Sequence, residues 1–168
     1  GSATLGLEIV EYLKSINTQI DNLLISVGGG GLISGVSSYV KQFYPKIKII
    51  GVEPENANGL NQSLRANKPL NNVNVNSIAD SLSAPLHMQY SFDVAKEVID
   101  EMVTVSDDQM KKFMVFCYKK FKLFLEPACV AGLAALKYKI NNKLIGKNTM
   151  VILCGSNIDK KTWSDLTN

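Results

Sequence analysis

"DNLLISVGGGGLISGV" occupies residues 21–36 and joins three textures: an apolar run, four consecutive glycines and a helical pattern. A short apolar run without alternation marks a strand buried on both faces, as in a parallel sheet. Residues 32–44 repeat apolar positions at helical spacing, and Pro45 ends the pattern. Four residues without a Cβ between strand and helix let backbone N–H groups converge on an anion, where the helix dipole also favours negative charge. A plain tight turn needs one glycine, and each further one costs chain entropy. Gly28, Gly29, Gly30 and Gly31 therefore read as a phosphate cradle.

The neighbouring sequence continues the alternation. Leu5, Ile9, Leu13 and Ile16 step by three or four, which predicts an amphipathic helix over 5–16. "KIKIIGVE" (46–53) reads as a second strand, and the asparagine-rich residues 56–77 as irregular connection with one short helix over 57–66. A helix over 91–101 and a strand over 102–105 follow. Ser106, with Asp107, Asp108 and Gln109 behind it, caps a longer helix. Met110, Met114, Cys117, Phe121 and Phe124 form its apolar stripe, and Lys111, Lys112, Lys119, Lys120 and Lys122 its solvated face. Pro127 opens a helix whose Ala128, Ala131, Gly132, Ala134 and Ala135 permit close packing. A last strand spans 149–153. The pattern predicts an α/β fold in one domain, 1–168: a parallel sheet with helices on both faces, three layers in all. Ligands on such sheets bind at the carboxyl ends of the strands. Those ends are residues 28–31, Glu53 and residues 154–157.

Composition narrows the partners. Apolar residues make up 46% and charged residues 20%, which excludes a disordered chain. The net charge of +3 and a single arginine, Arg65, speak against a nucleic-acid surface. Three cysteines without a C-x-x-C fit neither a disulfide framework nor a zinc knuckle. No apolar run nears the roughly 18 residues of a membrane span. The expectation is a soluble cytoplasmic domain without nucleic-acid or membrane partners; Gly1 and Ser2 have the look of a cloning scar. A dinucleotide fingerprint fails, because Ile33 or Ser34 stands at its last glycine, and no lysine completes a nucleoside-triphosphate loop. Glu53 does mimic the ribose-binding acid of a dinucleotide fold, so on the residues alone a nucleotide-binding module stays open.

"SVGGGGLISGV" (26–36), "GVEPE" (51–55), "SIADSL" (77–82), "LEPACVAGLAAL" (125–136) and "LCGSNID" (153–159) fall in this order, preceded by "ATLGLEI" (3–9). Together they resemble the later half of pyridoxal-phosphate (PLP) enzymes of fold type II, the threonine/serine dehydratase and serine racemase family. The resemblance implies part of the larger, PLP-binding domain of an ammonia-lyase that converts L-threonine or L-serine to a 2-oxo acid and ammonia. A racemase of the same family is the alternative. It implies the PLP phosphate on the amides of Gly28, Gly29, Gly30 and Gly31, with Leu32 beginning the helix. Cys154, followed by Gly155, matches the position facing the pyridine nitrogen, although alone it reads as a small buried hydrophobe. Glu126 matches the acid of the family's Glu-Pro pair; an acid before a helix is also stabilised by the dipole whatever its function.

The resemblance also carries departures. Glu53 and the Ala57 carbonyl match a divalent-cation site of racemase-like members, but Gly59 stands where the third ligand is an aspartate. Ser81 stands where many members have glycine. His87, the only histidine, lies in a Pro-containing turn and reads as structural. The family's Schiff-base lysine motif and its Ser-x-Gly-Asn-His segment are missing, and Lys14 and Lys137 read as helix-surface residues. The resemblance therefore implies a fragment with no catalytic residue of its own, inactive alone, whose full-length parent acts on an amino acid as a homo-oligomer.

Overall fold

The computed structural model describes residues 1–167. Four strands form one sheet: β1 (Asn22–Ser26), β2 (Lys48–Pro54), β3 (Glu101–Val105) and β4 (Thr149–Val151). Their order is β3-β2-β1-β4, and every pairing is parallel. The apolar runs of β1 and β2 follow from this order, because both strands are central and covered on both faces. β3 and β4, at the edges, are only half-buried over most of their length.

Side chains alternate across β1 and thereby define three layers. Leu23 and Ile25 join the core formed with helices α1 (Ala3–Ser15), α2 (Gly31–Phe43) and α4 (Gln89–Val98). Leu24 faces the other way, packing with Ile50, Ile140 and Leu144. That second face also carries α5 (Asp107–Phe121) and α6 (Pro127–Ala135). α3 (Gly59–Ala66) follows β2, and α7 (Lys160–Thr167) lies against the α5 side through Trp163. A three-layer α/β sandwich results, as the alternation of patterns predicts.

Local chemistry sets the boundaries. Ser106 and Gln109 exchange hydrogen bonds in a capping box at the start of α5. Pro127 occupies the first turn of α6, where its missing N–H costs nothing. The small residues of α6 are buried, and a Cβ on Gly132 would come within 2.7 Å of Val151 Cγ1, so helix and edge strand lie in close contact.

One detail corrects the sequence reading, and two add to it. α5 ends at Lys122, which takes a left-handed φ of 59°, so Phe124 lies beyond the helix and Phe121 is exposed; the buried stripe is Met110, Met114 and Cys117. Lys137 sits in a π-helical turn, Leu136–Ile140, that continues α6. Ser2 packs at the start of α2, its Oγ donating to the Gly31 carbonyl at 2.8 Å.

Candidate active site

At the carboxyl end of β1 the chain leaves the sheet through Val27 and enters the glycine turn. Gly30 has φ 84°, a left-handed value that glycine adopts without strain, and α2 begins at Gly31. Among the described residues none accepts a hydrogen bond from the amides of residues 28–33; the first helical bond runs from Ser34 N to the Gly30 carbonyl at 3.0 Å. A row of free amides at a helix N-terminus is an anion receptor by geometry and by dipole.

These amides border a cavity of about 270 Å³. Gly28, Gly29, Gly30, Gly31, Leu32, Glu126 and Cys154 all line it, so one space gathers residues from three separated stretches of sequence. The parallel register explains the meeting, since β1 and β4 run side by side and deliver their carboxyl ends to the same edge. A Cβ on Gly29 or Gly31 would meet nothing within 4 Å and would project into open space. A Cβ on Gly28 would approach the Ser81 carbonyl to 2.9 Å, so this glycine is required for the loop to pass the 77–82 segment.

Gly155 does not line the cavity but shapes its wall. Its φ is 133°, and Glu126 Oε1 occupies the space that a Cβ would need. The Glu126 amide donates to the Gly155 carbonyl at 3.3 Å, which ties the start of α6 to the segment after β4. Glu126 is the N-cap residue of α6, yet its side chain does not cap the helix and stays beside the cavity. Cys154 is exposed; partial burial and the Glu126 carboxylate push its thiol pKa up, so it is the neutral S–H at physiological pH.

Ser26 escapes the sequence reading, and Ser81, Asp107 and His87 make contacts that it does not foresee. Ser26 ends β1 with its Oγ buried and without a partner, on the cavity wall. Ser81 Oγ lies 3.5 Å from Glu126 Oε1 and lines the same space. Its segment is held by Asp107, which accepts from Ser77 Oγ at 2.6 Å and from Ile78 N at 3.2 Å. His87 stands behind the loop, with Nε2 3.1 Å from the Gly28 carbonyl. No local pattern announces the contacts of Ser81, Asp107 and His87, because each partner is distant in sequence.

Glu53 has a different role from the other strand-end residues. It is 1% exposed, and its two carboxylate oxygens accept from the α3 amides of Leu60 at 2.8 Å and Asn61 at 2.9 Å. Burial pushes its pKa up to about 7, against the opposing pull of the two amides. A resident divalent cation needs several oxygen ligands. Both Glu53 oxygens accept from the helix amides, and Gly59 offers no side chain as a further ligand. Among the described residues no three of His, Cys, Asp and Glu are grouped to hold a metal. The residues around Glu53 and the buried Ala57 do not fit such an ion.

Residues 1–155 match the family described as pyridoxal-phosphate dependent enzyme. The chain belongs to this family. It is 40% identical over 164 residues to the phenylserine dehydratase of Ralstonia pickettii, covering 98% of this chain and 49% of that protein. The structure of threonine deaminase isoform 2 from Solanum lycopersicum superposes with a TM-score of 0.90 at 34% identity, covering 99% of this chain and 48% of the other. Maize serine racemase gives 0.85 at 30% identity, covering 98% and 52%. The chain thus spans about half the length of the relatives it matches. Among the described residues, no helix is long and apolar enough to cross a membrane.

Proposed function

We propose that this chain is the cofactor-binding wall of a pyridoxal-phosphate dependent ammonia-lyase acting on a hydroxy amino acid, with a 2-oxo acid and ammonia as products. The observation that carries the reading is the single cavity bordered both by the free amides of the glycine loop and by Cys154. The residues present fit the cofactor. Gly28, Gly29, Gly30, Gly31 and Leu32 would hold its phosphate, and Cys154 would face its ring nitrogen. When bound, pyridoxal phosphate supplies a ring that draws electrons from the substrate Cα.

Each residue contributes a defined part. The loop amides and the α2 dipole fix the anionic end without a cationic side chain. The neutral Cys154 thiol would meet the ring nitrogen as a weak donor without a charge, unlike a carboxylate. Gly155 and Glu126 brace that wall, and partial burial together with the Glu126 carboxylate raises the thiol's pKa. No lysine lines the cavity among the described residues. We assign transfer of the substrate α-proton to a lysine in the part of the parent enzyme equivalent to the other half of its relatives.

The test is titration of the chain with pyridoxal phosphate, followed by absorbance and by the ³¹P resonance. Wild type is expected to bind reversibly and to form no 2-oxo acid from L-serine or L-threonine. Gly29→Ala is expected to keep wild-type stability within about 0.5 kcal/mol, since its Cβ meets no atom. It should nevertheless weaken cofactor binding, because the methyl group enters the phosphate's space. No binding by wild type, or equal binding by the variant, overturns the phosphate assignment. In the full-length parent, a D-amino acid product in place of the 2-oxo acid would select the racemase reading, to which the likeness to maize serine racemase points.

A further inference from the structure

His87 lies outside the cavity, 3% exposed, and is the histidine that the sequence leaves without a role. Its Nε2 is 3.1 Å from the Gly28 carbonyl oxygen, which can only accept. Nε2 therefore carries the proton, and in the neutral ring Nδ1 is a bare acceptor; it has no partner among the described residues. The ring is wedged against the start of α3, where a Cβ on Gly59 would come within 2.8 Å of its Cε1. A Cβ on Gly28 would come within 2.9 Å of the Ser81 carbonyl oxygen and 3.1 Å of Leu82 Cα. Gly28 thus meets the 81–87 segment both at its carbonyl and where a side chain would stand.

Holding one carbonyl has a geometric consequence. In a trans peptide the C=O and the following N–H point in opposite directions. Anchoring the Gly28 oxygen on the imidazole turns the Gly29 N–H to the opposite side. Consecutive glycines impose almost no preference of their own, so without an anchor this peptide plane is free to flip.

We propose that His87 is a positioning residue for the glycine loop: its Nε2–H, donated to the Gly28 carbonyl, fixes the Gly28–Gly29 peptide plane with the Gly29 N–H on the cavity side. The inference rests on the reading of that cavity as a phosphate site. Burial also lowers the ring's pKa, in keeping with a neutral donor. One imidazole here does through the main chain what a cationic side chain would do by direct contact.

The experiment uses inorganic phosphate and pyridoxal phosphate as probes, with His87→Phe and His87→Gln beside wild type. Phenylalanine keeps a ring of similar volume without a donor; glutamine restores a donor at similar reach. His87→Phe is expected to bind both probes roughly fivefold more weakly, the order set by one neutral hydrogen bond. It should also shift and broaden the Gly29 amide resonance in phosphate-free buffer. His87→Gln should recover most of both. Wild-type affinity with an unmoved Gly29 resonance in His87→Phe overturns the inference, as does an equal loss in both variants. If wild type binds neither probe, the phosphate reading fails, and the Gly29 resonance alone decides whether His87 sets the loop. Should His87→Phe not fold, the imidazole ¹⁵N spectrum of wild type decides: the Nε2–H tautomer is expected, and the Nδ1–H tautomer overturns the inference.

Discussion

At the scale of single residues, buried polar groups are where this chain spends stability on its site. His87 has a pKa held below its ordinary 6.5, because burial outweighs the hydrogen bond to the Gly28 carbonyl. As pH falls through 6.5 the unfolded chain takes up the proton first, so the folded state loses ground. The contribution of His87 is complete above 6.5 and declines below it. Glu53, raised to about 7, acts with the opposite sign: the folded state holds its proton longer, and its contribution declines as pH rises from 4.5 through 7. Comparing wild type with His87→Gln separates the two. Urea unfolding at pH 7.5 and 5.5 is expected to show a larger acid loss in wild type than in the variant. An identical loss in both would show that the imidazole does not titrate differently on folding.

At the scale of elements, helix starts are secured by partners of different range, and range decides what a sequence reveals. The start of α5 is local: Ser106 and Gln109 are three residues apart, and the pair is legible directly. The start of α3 is not. Its amides are satisfied by Glu53 at the end of the preceding strand, and the sequence marks that residue only as a strand-end acid. Glu53→Ala is expected to cost about 3 kcal/mol in urea unfolding, because a buried and a partly buried N–H lose their acceptor and a cavity opens. Glu53→Gln, which retains one acceptor oxygen, should cost less; equal losses would mean that the bonds to α3 contribute little. The same distinction explains the misplaced end of α5. Lys122 adopts the left-handed region usually marked by glycine, so nothing in "KKFKLF" signals a stop. α7 escapes notice because it has no buried residue to set a periodicity. The strands, the glycine loop and α6 are legible because their patterns are set by full burial or by the absence of side chains.

At the scale of the whole molecule, β4 is the element through which the cavity becomes complete. It is three residues long, half-exposed and paired on one side only, to β1. Short edge strands open at lower free energy than central ones. In hydrogen exchange the amides of 150–152 are therefore expected to exchange ahead of those of β1 and β2. Pyridoxal phosphate should slow them selectively, because a ligand spanning the glycine loop and Cys154 stabilises only the closed arrangement. Equal slowing throughout the sheet would show that the ligand does not bridge the two strand ends.

The β1–β4 register has a consequence for how the protein is made. Asn22 pairs with Thr149, whereas its pairing with Lys48 on the other side closes a far shorter loop. Loop-closure entropy delays the distant pairing, and during synthesis the ribosome delivers residue 149 long after the glycine loop has emerged. A nascent chain therefore carries the glycine-loop side of the cavity well before the wall that bears Cys154. Completion of the cavity is in this way timed to the emergence of β4 and the residues after it, and a chain that stops short of them keeps the loop without its facing wall.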